Sequence, residues 1–326
     1  MSSTPAITVL MPVYNGRQFL PESVQSILSQ TFRDFEFLII DDGSTDGSLE
    51  FLRGQNDTRI RIVHEATNRG IVHTLNSGLE LASGYYVARM DADDIALPGR
   101  LAAQYRFMEE NPDVGVCGTA FQMFGEQHSP GWARYPKHPD LVVALLFENP
   151  LCHPSVMIRQ AVLRQTGLRY PGDYPHAEEY AFWVRLARHT GLANLTEPLL
   201  QYRSHPQQVS RQKSQEQCRS ISRIIAEQLA ALGLTASPGE LALHNLLGMA
   251  FNPVPGYRRK LDSWAGRILE ANARSAFLPH EQLACQLHDR TAAAIERTQS
   301  QLARMTRLRR FHWRLSAGMR HYLPAG

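Results

Sequence analysis

Tyr85-Tyr86-Val87-Ala88-Arg89-Met90-Asp91-Ala92-Asp93-Asp94 is a largely apolar, aromatic run that ends in three carboxylates within four residues. Acids packed this closely repel one another. At ~5 Å and an effective dielectric of about 20 the repulsion is about 3 kcal/mol per pair. A cation relieves it, and hard divalent ions such as Mg²⁺ prefer carboxylate oxygen. The same letters also suit an acidic surface turn in which an aspartate caps the next helix. What surrounds the stretch decides between the two readings.

Upstream, the chain alternates buried strands with amphipathic helices. Ala6 to Val13 is almost continuously apolar, the pattern of a strand covered on both faces, and Tyr14-Asn15-Gly16 breaks it. Phe19, Leu20, Val24, Ile27 and Leu28 then recur at helical spacing. Phe35 to Ile40 is a second buried strand running into Asp41-Asp42-Gly43-Ser44-Thr45-Asp46, whose Ser, Thr or Asp suits a helix cap. Ile60 to Val63 is a short third strand, Asn68-Arg69-Gly70 opens a helix through Leu81, and the acidic stretch follows a fourth strand. This alternation predicts a mostly parallel α/β sheet.

Downstream, Pro98 starts a helix that ends near Asn111-Pro112, and Val114–Cys117 and Ala120–Phe124 read as two further strands. Leu141–Phe147 reads as a short helix, Ser155–Ile158 as a strand, Ala177–His189 as a helix and Leu199–Tyr202 as the last strand. Beyond residue 210 helix formers dominate, so an α/β domain over 1–210 and an α-helical region over 211–326 are expected.

Composition bounds the function. The 326 residues, 43% hydrophobic and 20% charged, describe a globular chain. Cys117, Cys152, Cys218 and Cys285 form no CxxC pair, which argues against a zinc site and suits a reducing cytosol. Ser2-Ser3-Thr4-Pro5 leads directly into a strand, so no signal peptide is expected, and the longest apolar run, Leu141–Phe147, is far short of a bilayer span. No acid follows Glu296, while Arg297, Arg304, Arg307, Arg309, Arg310, Arg314 and Arg320 do.

Tyr14, Asp42 and the pair Asp91/Asp93 each lie just past the carboxyl end of a predicted buried strand. Open parallel sheets bind ligands at that edge, near a topological switch point, so these positions are expected to share one crevice. The first turn, Val13-Tyr14-Asn15-Gly16-Arg17, is not GxGxxG, which counts against a dinucleotide-binding domain, and no P-loop is present.

Six motifs in order carry a family resemblance: Pro12-Val13-Tyr14-Asn15-Gly16, Asp41 to Asp46, Asn68-Arg69-Gly70, Asp91-Ala92-Asp93-Asp94, His153-Pro154-Ser155 and Glu178-Glu179-Tyr180. Together, over residues 5 to 210, they resemble the family 2 glycosyltransferases, which have the GT-A nucleotide-sugar fold. The resemblance implies an inverting transferase that moves a sugar from a nucleotide sugar to a hydroxyl of a glycan or lipid-linked acceptor, as in cell-surface polysaccharide synthesis. It implies Mg²⁺ or Mn²⁺ as cofactor. Pro12, Tyr14, Asp42, Arg69 and Asp91 are then expected around the nucleotide, with Tyr14 stacking on the base at ~1–3 kcal/mol. Asp42 would accept the imide N–H of uracil, which points to a UDP-sugar; cytosine lacks that proton. Arg69 would meet the pyrophosphate or the base edge. Asp93 would ligate the metal bridging the phosphates, and Asp91 would reach the ribose or the metal's water shell. Asp94 is left as a cap or sugar contact.

Glu178 and Glu179 match the family's Glu-Asp pair, whose second member is the general base. Successive helical residues point ~100° apart, so Glu179 is chosen by position. Glu here replaces the commoner Asp and is one methylene longer. His153 is either an acceptor contact or a structural histidine. Tyr202-Arg203-Ser204-His205 resembles a late segment of many members, and Arg203 or His205 is placed to close over the diphosphate. The chief alternative is a non-catalytic nucleotide-sugar-binding scaffold subunit on the same fold.

The resemblance stops near residue 210. Met305, Leu308, Phe311, Trp313, Leu315 and Met319 interleave with the terminal arginines, a pattern that suits a basic amphipathic helix on an anionic membrane or a solvated helix packed on its own protein. No RNA-binding motif accompanies the charge, so no nucleic acid is expected. The expected location is cytoplasmic, peripheral to the inner face of the membrane.

Overall fold

The computed structural model describes residues 4–132, 135–206, 213–248 and 257–319, with the backbone alone at 130–132 and 302–319. The chain divides into two compact units, residues 1–224 and 225–326.

The first unit is built on one mixed sheet. In chain order it runs β1 (Ile7–Val13), α1 (Leu20–Leu28), β2 (Phe35–Asp41), α2 (Ser48–Arg53), β3 (Ile60–His64), α3 (Ile71–Leu81), β4 (Tyr86–Arg89), β5 (Ile95–Ala96), α4 (Arg100–Glu110), β6 (Val114–Gly125), β7 (Ser129–Trp132), α5 (His138–Ala144), β8 (Met157–Arg159), α6 (Gln160–Thr166), α7 (Glu178–Leu186) and β9 (Gly191–Ser204). The strand order is β3-β2-β1-β4-β8-β6-β9-β5, with β7 paired to β6. β1, β2, β3 and β4 pair in parallel, as do β6 and β9, while β8 runs antiparallel between β4 and β6.

All seven residues of β1 are buried, which is why no polar alternation marks it. Successive side chains go to opposite faces. Leu10, Leu38 and Ile40 join one core cluster with Leu75, Leu79, Phe182 and Trp183. Val9, Met11, Phe37 and Ile39 join the other with Leu20, Val24 and Ile27. Helix α3 lies so close to β1 that a Cβ on Gly78 would come within 2.3 Å of Leu10 Cδ1.

The winding places the ligand edge. From β1 the chain steps outward through β2 to β3, then returns to β4 on the other flank of β1. The reversal leaves a crevice at the carboxyl ends of β1 and β4, the topological switch point.

Two local readings change, and one short strand is added. The two runs expected as separate strands form one strand, β6, because its pairing with β9 continues through Gly118 and Thr119 with register shifts. The last strand begins earlier than Leu199, at Gly191, since β9 pairs along the whole of β6. Ile95–Ala96 forms a two-residue strand on β9, too short to show a period.

Helix α8 (Ser214–Ala231) starts within the first unit, where Gln217 donates to the His176 carbonyl and Ser220 to that of Pro175, both at 2.8 Å. The second unit contains α9 (Pro238–Leu247), α10 (Tyr257–Ser275) and α11 (His280–Met319), with Leu246, Leu261, Trp264, Ile268 and Leu283 in its core. Ser237 and Glu240 form a capping box on α9. Among the described residues no helix is long and apolar enough to cross a membrane. The side chains of 302–319 and all of 320–326, which carry the expected basic amphipathic face, lie outside the described residues.

Candidate functional site

A cavity of about 990 Å³ opens at the switch point. Pro12, Tyr14, Asp42, Asp91, Asp93, His153, Glu178, Glu179 and His205 all line it. Arg69 and Arg203 do not; each holds another part of the site in place.

At the β1–β2 end the loops are stitched to each other. The backbone N–H of Asn15 donates to Ser44 Oγ at 2.9 Å and that of Gly16 to Ser48 Oγ at 3.0 Å, while Asn15 Oδ1 accepts from the Thr45 N–H at 2.9 Å. Tyr14 stands out of this platform, 52% exposed. Asp42 is buried and accepts the backbone N–H of Arg69 at 2.8 Å and of Gly70 at 2.9 Å, one on each oxygen. Gly43 permits this closure: its φ is 73°, and a Cβ there would meet the Thr67 carbonyl carbon at 2.7 Å. The Arg69 side chain is exposed, and its main chain holds Asp42 in place.

The acidic loop leaves β4 and is braced from beneath. Ser23 Oγ lies 2.8 Å from the Ala92 carbonyl and 2.7 Å from that of Asp94. Buried Arg100 donates from Nη2 to the Arg89 carbonyl at 2.6 Å, and its Nε bonds Gln104 Oε1 at 3.1 Å. Asp91 is ion-paired with Arg89. Asp93 Oδ2 lies 2.9 Å from His205 Nε2. Asp94 is buried and accepts the Arg203 backbone N–H on Oδ1 at 2.8 Å, while its Oδ2 has no partner among the described residues. Asp94 is therefore neither a helix cap nor a free sugar contact but an anchor for β9.

Arg203 packs behind the loop. Its Nε donates to the Asp93 carbonyl at 2.6 Å, its Nη2 pairs with Glu22, and its guanidinium lies 4.8 Å from the Phe19 ring centroid and 4.4 Å from that of Phe124.

One carboxylate oxygen each of Asp91, Asp93 and Asp94 can be taken so that all lie within 4.8 Å of one another. Burial raises the Asp94 pKa well above its usual range, and the charges of Asp93 and Asp91 raise it further. Burial likewise raises Asp91, against the pull of Arg89. Crowded carboxylates, one with a buried oxygen lacking a partner, form an all-oxygen donor set that fits a hard divalent cation.

Across the cavity, α7 opens on Glu178 and Glu179. Burial and the neighbouring Glu178 charge push the Glu179 pKa up to about 7. Glu179 Oε1 accepts from Asn149 Nδ2 at 3.4 Å, and Asn149 is itself fixed because its Oδ1 accepts the Leu151 N–H at 3.2 Å. Glu178 is the less solvent-exposed of the pair, with Oε2 unpartnered among the described residues. His153 Nε2 lies 3.0 Å from the Tyr170 hydroxyl, and burial lowers its pKa well below the ordinary value, keeping the ring neutral.

Two lining residues escape a reading of the sequence. Arg89 reads as one charge inside an apolar run, and Asn149 as an ordinary loop polar before a proline. The only signal for Arg89 is its place immediately before the acids.

The family model "Glycosyl transferase family 2" matches residues 8–167. An uncharacterised glycosyltransferase of Haemophilus influenzae is 35% identical over 241 residues, covering 70% of this chain and 75% of the relative. The O-antigen biosynthesis glycosyltransferase WbnJ of Escherichia coli is 34% identical over 213 residues, covering 61% of this chain and 80% of that protein. Among solved structures, S. aureus TarS 1–349 in complex with UDP aligns at a TM-score of 0.57 and 19% identity, over 90% of this chain and 88% of that one. The mannosyltransferase PcManGT of Pyrobaculum calidifontis, in complex with GDP-Man and Mn²⁺, aligns at 0.56 and 18%, over 91% and 88%. The expected GT-A-like sheet followed by a helical region is the architecture found.

Proposed function

The chain belongs to glycosyl transferase family 2 and is a glycosyltransferase, and from that premise we propose that it is an inverting, metal-dependent enzyme using a nucleotide sugar, with a UDP-sugar as the favoured donor. The observation that carries the proposal is the convergence of Tyr14, Asp42, Asp91, Asp93 and Glu179, from four places in the chain, on one cavity.

Tyr14 stacks on the base and Asp42 accepts the uracil imide N–H. Each Asp42 oxygen already takes one backbone N–H and keeps a lone pair for a ligand. Asp91 faces the ribose side. Asp93 would hold Mg²⁺ or Mn²⁺, with Asp91 reaching the ribose or the metal's water shell, and as a Lewis acid the ion would neutralise the leaving diphosphate. Glu179 takes the proton of an acceptor hydroxyl as that oxygen attacks the anomeric carbon, and the bond from that carbon to the diphosphate oxygen breaks on the opposite face. Asn149 donates to Glu179 Oε1, which leaves Oε2 for the acceptor.

The test is a panel of nucleotide sugars with Mn²⁺, reading released nucleoside diphosphate. Release from a UDP-sugar that Asp93→Ala abolishes supports the reading; no release from any donor, with or without an acceptor mixture, contradicts it.

A glycan or lipid-linked acceptor in polysaccharide synthesis fits the relative named for O-antigen biosynthesis. A membrane-borne acceptor would also give the terminal arginines a role at an anionic surface. Removing residues 303–326 should then abolish sedimentation with anionic vesicles; sedimentation that survives the deletion refutes it.

A further inference from the structure

Arg89 is the last residue of β4, directly before the acidic loop. Its backbone is fixed on both sides: the N–H donates to the Val156 carbonyl at 2.9 Å, and the carbonyl accepts from Arg100 at 2.6 Å. Its side chain is buried, lines the cavity and is ion-paired with Asp91, while its Nε has no partner among the described residues. No other arginine or lysine is among the described residues lining the cavity. A buried cation is costly unless a fixed anion compensates it. Asp91 supplies that anion, so the side chain one would otherwise count as a free member of the acidic triad is already engaged.

We propose that Arg89 is a positioning residue that divides the acidic loop. Its guanidinium holds Asp91 as a fixed anion turned to the nucleotide, while Asp93, which meets His205 through Oδ2, keeps Oδ1 for the cation. Nucleotide binding draws on Asp91 only while Arg89 holds it. This role rests on the reading of the cavity as a nucleotide-sugar site.

The test is a double-mutant cycle on the full chain: Arg89→Met, Asp91→Asn and the two together, with Arg89→Lys as the conservative variant. UDP and GDP are titrated calorimetrically with Mn²⁺, and thermal unfolding is followed in parallel. Contacting residues couple, and here each single change should weaken nucleotide binding about tenfold. The double variant should bind no worse than Asp91→Asn alone, and Arg89→Lys, which keeps the charge without the planar fork, should fall between wild type and Arg89→Met. The double variant leaves no buried charge unpaired, so it stays informative even where Arg89→Met unfolds. A double variant about 100-fold weaker, the product of the two losses, overturns the role, as does Arg89→Met binding like wild type. Wild-type protein that binds neither nucleotide with Mn²⁺ overturns the nucleotide reading together with this role.

Discussion

Asp94 accepts the backbone N–H of Arg203 at 2.8 Å, tying the acidic loop to the end of a strand more than a hundred residues later. The acid adjoining Asp93 is thereby committed to the fold. Its other oxygen is buried without a partner among the described residues, and burial with the nearby Asp93 and Asp91 charges disfavours its ionised form.

Asp94→Ala removes the acceptor and should cost about 1–3 kcal/mol, a few degrees in Tm. Asp94→Asn keeps a carbonyl oxygen on the Arg203 N–H and discards a disfavoured charge, so it should melt close to wild type. Thermal unfolding of both variants checks this. Equal losses for Asn and Ala would show that the charge, rather than the hydrogen bond, is what the fold uses.

Glu179 sets the pH dependence. Burial first, and then the Glu178 charge, raise its pKa to about 7. A base works only when ionised, so the rate at saturating donor should fall about tenfold per pH unit as pH drops below that value and level off above it. Glu179→Gln should lower kcat by about 10²–10⁴-fold and leave nucleoside diphosphate affinity unchanged. A pH–rate profile of wild type, with single-point kinetics of Glu179→Gln and Glu178→Gln, checks the assignment. Full activity in the first variant with loss in the second would move the base to Glu178.

Tyr14 is 52% exposed, so truncating it removes little packing. If it stacks on a base at ~1–3 kcal/mol, Tyr14→Ala should weaken UDP binding about 5- to 150-fold with Tm unchanged. Calorimetry and a melting curve suffice. An unchanged affinity would place the base elsewhere in the cavity.

The strand ends were legible because residues buried on both faces leave near-continuous apolar runs, as at Ile7–Val13, and the ligand edge follows from strand polarity. The sequence pattern alone therefore brings Tyr14, Asp42, Asp91 and Asp93 to one edge. Side-chain commitments were not legible. Whether Asp94 meets solvent or the Arg203 N–H depends on where β9 ends, and whether Arg69 offers its guanidinium or its backbone depends on how the Gly43 turn closes. Arg89 and Asn149 were missed for the same reason: each matters through a partner, Asp91 or Glu179, that local periodicity does not specify. Merging the two runs of β6 required knowing its pairing with β9.

The most direct test of the account is calorimetric titration of UDP into the full chain, with and without Mn²⁺, for wild type and Asp93→Ala. UDP binding that Mn²⁺ strengthens at least tenfold in wild type, and no longer strengthens in Asp93→Ala, is the predicted result. UDP binding of equal strength in both proteins, indifferent to Mn²⁺, would contradict it.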